Sequence, residues 1–166
     1  PLRRQRQMCI ETAPELAVRG ATTAGVSVLN VNGTNIAGAG DLSIQSGGIT
    51  AATVTSATLN HNSGELSFAR LLMGAYGNSS TYVISGGSLN LVGNIAMGSS
   101  GSSVLKANGG QITTTGITGS TTGTQSISFS GGTLKAAASN SAFIDATVDA
   151  LSLSLIHISE PTRPRL

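Results

Sequence analysis

Apolar residues alternate with small polar ones in short runs along most of the chain, and the runs stop at glycine-rich breaks. Leu42-Ser43-Ile44-Gln45-Ser46 leads into Gly47-Gly48 and Ile49. Tyr82-Val83-Ile84-Ser85 leads into Gly86-Gly87 and Ser88-Leu89-Asn90-Leu91, and Ile127-Ser128-Phe129-Ser130 into Gly131-Gly132 and Thr133-Leu134. A period of two sends successive side chains to opposite faces, so each phrase predicts a strand, a tight turn and a second strand. Glycine suits the turn because φ > 0 costs it little.

The breaks recur. Gly47-Gly48, the degenerate Ser63-Gly64, Gly86-Gly87, Gly109-Gly110 and Gly131-Gly132 begin 16, 23, 23 and 22 residues apart. A second register echoes the first, with Leu72-Met73-Gly74 answered 24 residues later by Ala96-Met97-Gly98. One unit of this length cannot bury enough apolar surface to offset its own ordering, whereas stacked units share a continuous interior and pair their backbones. The chain is therefore expected to be all-β, a parallel β-helix of about 22–24-residue coils open at both ends. With strands about 4.8 Å apart, five or six coils make a rod on the order of 25–30 Å long. Antiparallel hairpins of a sandwich or propeller are the alternative, disfavoured by the uniform period and the scarcity of aromatics. Residues 136–151 are rich in Ala and place Asp145 and Asp149 at i, i+4, which permits a helical turn. Phe143, Ile144 and Val148 there are nevertheless read as coil core.

Composition narrows the class further. Gly, Ser and Thr fill 64 of 166 positions, Trp is absent, and charged residues make up 10%, against about 25% in ordinary soluble domains. A solvated helical bundle is excluded by that balance, and disorder by an apolar content of 39% with a net charge of only +2. The positive charge also sits at the ends. Arg3, Arg4 and Arg6 against Glu11, and Arg163 and Arg165 against Glu160, account for more than all of it, leaving the middle slightly negative. No nucleic-acid partner is expected on that ground, and no apolar run reaches the roughly 18 residues of a membrane helix.

The two ends carry a resemblance of their own. Arg3-Arg4-Gln5-Arg6-Gln7-Met8-Cys9-Ile10 resembles the translation of a transposon-type sequencing adapter, and Leu153-Ser154-Leu155-Ile156-His157-Ile158-Ser159-Glu160-Pro161-Thr162-Arg163 that of its partner. With adapter codons, the bases for Met8 to Ile10 are the reverse complement of bases spanning Leu155 to Ile158. Glu11-Thr12 stands where the adapter would read Arg-Asp, and one dropped base restores the match. The expected division is thus 1–12 and 153–166 as tails of that origin, with 13–152 as the β-solenoid segment. No leader or stop signal is to be expected in such a segment. It contains no cysteine, so no disulfide framework is expected.

Within the body, the phrase from Gln125 through Gly131-Gly132-Thr133-Leu134-Lys135-Ala136-Ala137, followed by Phe143-Ile144, resembles the autotransporter-associated β-strand repeats of large bacterial surface proteins. Leu71-Leu72-Met73-Gly74 through Gly86-Gly87-Ser88-Leu89 looks like the preceding unit, while the part before Leu42 matches less well. The resemblance implies a secreted or surface-displayed β-helical passenger of Gram-negative bacteria with a structural or adhesive role. Its partners would then be host or surface glycans or other cell-surface components.

Chemistry is sparse. The body holds five acids and four bases: Glu15, Asp41, Glu65, Asp145 and Asp149 against Arg19, Arg70, Lys106 and Lys135. Asp41, Glu65 and Asp145 fall in different coils at unrelated phases. Asp145 and Asp149 are neighbours, and two carboxylates can divide acid and base roles, but a solvated pair near a corner is the simpler reading. His61, between Asn60 and Asn62 and just before a turn, reads as exposed; a zinc site needs three or four ligands. Serine without a histidine base is no nucleophile. Gly38-Ala39-Gly40-Asp41 lacks the start and recurrence of a calcium repeat, and Asn32-Gly33-Thr34 and Asn78-Ser79-Ser80 fit the glycosylation pattern near chance frequency. Thr53-Val54-Thr55 and Thr113-Thr114-Thr115 raise ice binding, which needs outward threonines in register on nearly every coil. Noncatalytic coils of a polysaccharide-acting β-helix enzyme are the runner-up reading. No catalytic, cofactor-binding or metal-ligating residue is assigned, no enzyme activity is expected, and self-association through unpaired edge strands is.

Overall fold

The computed structural model describes residues 15–19, 26–45, 56–74, 79–98 and 101–154. Among the described residues fourteen strands follow one another: β1 (Leu16–Arg19), β2 (Val26–Val31), β3 (Ile36–Ala37), β4 (Leu42–Gln45), β5 (Ser56–His61), β6 (Glu65–Phe68), β7 (Leu71–Met73), β8 (Ser79–Ile84), β9 (Ser88–Leu91), β10 (Ile95–Met97), β11 (Ser102–Thr114), β12 (Ile117–Thr118), β13 (Thr124–Ala136) and β14 (Ala150–Leu153). Every strand pairing is parallel and skips two strands or fewer, the arrangement of a β-solenoid with three faces per coil. β2, β5, β8, the first half of β11, the first half of β13 and β14 build one face. β3, β6, β9 and the second halves of β11 and β13 build the next. β1, β4, β7, β10 and β12 build the third, which Ile144 extends by a bridge to Ile117.

The alternating pattern becomes stacked columns. Leu29, Leu59, Tyr82, Leu105, Ile127 and Leu151 are register partners in succession on the first face. Leu66, Leu89 and Ile112 stack on the second, and Leu42, Leu71, Ile95 and Ile117 on the third; all seven are buried. Burying one such side chain contributes about 1.5–3 kcal/mol, and each is shared between the coil above and the coil below.

The glycine pairs sit where the first face turns into the second. A Cβ on the leading residue, Gly86, Gly109 or Gly131, would strike the carbonyl of Asn62, Ser85 or Asn108 one coil below. The trailing residue, Gly87, Gly110 or Gly132, has φ of +76°, +69° or +81°. One glycine answers a close approach and the other a left-handed backbone, which is why they come in pairs. At the later corners the turn is shallow enough that β11 and β13 run through it with a register shift.

Two expectations need correction. Leu42–Gln45 belongs with Leu71–Met73 on the third face, not with Tyr82 and Ile127 on the first. The 16-residue step from Gly47 is therefore no coil length; the first coil is longer, with Ser56 pairing Val26 and Leu66 pairing Ile36, before Ser79 and Ser102 follow at 23-residue steps. An alternating strand looks alike on all three faces, so phrase matching cannot tell them apart. Gly47, Gly48 and Ile49 lie outside the described residues. The helical turn permitted at 136–151 is also not formed: no helix occurs among the described residues. Ile144 and Val148 pack against the core, and Phe143 is half-buried. β14 takes in Leu153, the first residue of the sequence-assigned tail.

The third face carries one flaw. Ser43, on β4 between Leu42 and Ile44, is fully buried and its Oγ finds no hydrogen-bond partner among the described residues. A buried hydroxyl left unpaired costs roughly 1–3 kcal/mol. Ser43→Ala is therefore expected to stabilise the fold by about 1 kcal/mol, read as an upward shift of the urea midpoint at unchanged slope; a downward shift would mean that the hydroxyl is paired.

Candidate functional site

The largest departure from the sequence reading is His61. It is not an exposed turn residue: it ends β5, is fully buried, and stacks between Val31 and Ile84. Strand parity decides this, because Leu59 points inward and so must the residue two places on. Its Nε2 lies 3.2 Å from the carbonyl of Gly64, which can only accept, so Nε2 carries the proton and donates. Nδ1 is then the acceptor for the hydroxyl of buried Tyr82 at 2.9 Å. The two rings are tilted by 46° with centroids 6.4 Å apart. Burial holds the imidazole below its ordinary pKa, the Gly64 bond opposing in part, and burial pushes the phenol well above its own. Neither ring reaches solvent, so the pair joins two coils instead of facing a substrate.

A second polar seam runs inside the later coils. Buried Ser80 donates to Ser103 Oγ at 3.2 Å. Next in the column is Gln125; with its amide assigned so that nitrogen rather than oxygen faces the surrounding acceptors, that nitrogen lies 3.0–3.1 Å from Thr147 O, Asp149 Oδ2 and Ser120 O. These contacts tie the irregular stretch before β14 to the stack.

The acids are each engaged separately. Asp41 takes a two-point bond from Arg70, with Nε at 3.1 Å and Nη2 at 2.7 Å, between successive coils. Glu65 Oε1 accepts from Ser67 Oγ and Asn90 Nδ2. Asp145 Oδ1 accepts from the backbone and hydroxyl of Thr147, and Asp149 Oδ2 from the backbone of Gln125 at 2.7 Å. Asp145 and Asp149 thus serve different backbone groups. Among the described residues no three His, Cys, Asp or Glu side chains come together, and no helix is long and apolar enough to cross a membrane.

On the outer side of the second face, Ala37, Ser67, Asn90, Thr113 and Lys135 follow in register. That column is mixed, not a threonine ladder. Thr114 turns inward and donates to Gly93 O at 2.9 Å, with Gly116 O at 3.0 Å. Thr53–Thr55 and Asn78 lie outside the described residues. Asn32 Oδ1 accepts from Asn62 Nδ2 and Asn30 Oδ1 from Asn60 Nδ2, both at 2.8 Å. This asparagine ladder was hidden in the sequence by the long first coil. Beside the outer column, a shallow groove of about 790 Å³ is lined by Asn35, Ala37, Ser67, Ala69, Asn90 and Val92 among others, none of its lining residues being ionisable.

No family model, curated protein or solved structure matches the chain. What it can do is therefore read from its own surface and stacking.

Proposed function

We propose that the chain is a structural or adhesive passenger segment of a bacterial protein displayed at the cell surface or secreted, and that it is not an enzyme. What supports this reading is the regular stacking: three faces repeat at 22–24-residue steps through the later coils. The described acids other than Glu15 are engaged with neighbouring backbone or side chains and do not converge on a cleft. Such a rod extends reach while presenting flat, small-residue faces; host or surface glycans are the partners proposed for those faces. The test is the reading frame that surrounds residues 13–152. Further copies of the 22–24-residue unit behind an export signal are expected, and a frame with neither overturns the reading.

A further inference from the structure

The groove beside the outer column of the second face crosses three successive coils at like positions, 37–39, 67–69 and 90–92. It therefore runs along the axis of the stack, across the strands. Its volume of about 790 Å³ falls within the roughly 300–1,000 Å³ usual for small-ligand sites, which are mostly apolar with a few placed polar groups. Ala39, Ala69 and Val92 supply the apolar surface, and Val92, at 84%, is the most exposed large apolar side chain among the described residues. Asn35, Ser67 and Asn90 supply the polar groups. Glu65 holds all three of these: its backbone N–H donates to Asn35 Oδ1 at 2.9 Å, and its Oε1 accepts from Ser67 Oγ at 3.0 Å and from Asn90 Nδ2 at 2.9 Å. Asn35 Nδ2 is left as a donor and Asn90 Oδ1 as an acceptor, each without a partner among the described residues.

We infer that this groove binds a neutral, linear oligosaccharide lying along the axis; the inference rests on the surface-passenger reading, in which glycans are the partners, and gives them a site. A sugar hydroxyl both donates and accepts, which suits a free amide N–H beside a free amide carbonyl, while the C–H face of the ring suits the Ala and Val side chains. None of the lining residues is ionisable, so an acidic glycan or a nucleic acid meets no cation there. The strands beneath are already paired, Gly38 N–H donating to Ser67 O, Val92 N–H to Phe68 O and Gly93 N–H to Ala69 O. A peptide thus finds no open strand edge to extend. Because Glu65 fixes the amides and the hydroxyl beforehand, little ordering remains to be done on binding.

Isothermal titration calorimetry of the intact chain tests this, with cellohexaose, maltohexaose, xylohexaose and mannohexaose as neutral probes and hexagalacturonate as the acidic comparison. At least one neutral hexasaccharide is expected to bind with a Kd below about 1 mM. Asn90→Ala is expected to weaken that binding about fivefold by removing a hydrogen-bonding partner. Val92→Tyr, at an exposed position that leaves the interior columns alone, is expected to tighten it about threefold by adding apolar contact. Lys106→Ala, exposed on the first face, should leave it unchanged, and far-ultraviolet circular dichroism checks the fold of each variant. Absence of saturable binding by every neutral probe, tighter binding of hexagalacturonate, or equal affinity of the Asn90 and Val92 variants overturns the inference. None of these outcomes bears on the surface-passenger reading, which rests on the surrounding frame, and a frame without an export signal would leave a measured groove affinity standing.

Discussion

Gly87→Ala is expected to destabilise the coil stack by about 3–4 kcal/mol, against about 1 kcal/mol for Gly33→Ala. Both glycines have φ near +75°, a conformation that costs an alanine roughly 1–2 kcal/mol. Their surroundings differ. At Gly33 the nearest heavy atom to an added Cβ is Ser63 Oγ at 3.8 Å, an ordinary contact. At Gly87 the Cβ would collide with the carbonyl oxygen of Gly64 and lie 2.9 Å from both Gly64 N and His61 Nε2. The backbone of one coil must then move away from the coil below, and the His61 bond to Gly64 O moves with it. Urea midpoints of the two variants decide the matter, equal losses meaning that the close packing of the corner is not what demands glycine.

Stability is also expected to be flat between about pH 6.5 and 10 and to fall on either side. His61 is neutral in the fold and its pKa is lowered by burial. The unfolded chain therefore takes up the proton first, and stability present above pH 6.5 is lost as the pH falls. Tyr82 is shifted in the opposite direction: the unfolded chain ionises first, and stability present below pH 10 is lost as the pH rises. Tyr82→Phe should remove the alkaline fall, keep the acid one, and cost about 1–3 kcal/mol at pH 7.5 by leaving Nδ1 without its donor. Thermal melts of both chains across this range test the claim. An acid limb that begins only near pH 4 would assign it to carboxylates and remove His61 from the account.

The coil period was legible because glycine pairs mark a geometric demand that no other residue meets, and Leu-Met-Gly marked the third face in the same way. Phase was not legible at Leu42, since alternation reports that a strand is half-buried without saying on which face. His61 was misread because Asn-His-Asn-Ser-Gly has turn composition, although parity with Leu59 was available to place it inside. Its partner Tyr82 could not be paired with it from sequence, because the 23-residue step sets Ile84 beside His61 and the bond to Tyr82 runs diagonally between the rungs. The separation of Asp41, Glu65 and Asp145 among coils could be read from spacing, but not that Arg70 crosses a coil to meet Asp41.

Rung-on-rung pairing confines each strand's backbone partners to the turns directly above and below. Tension applied along the chain would then strip the molecule from an end, releasing thread in parcels of one winding, about 80 Å for 23 residues. The windings still seated would keep their shape meanwhile, so a tether built this way yields gradually under load instead of failing at a stroke.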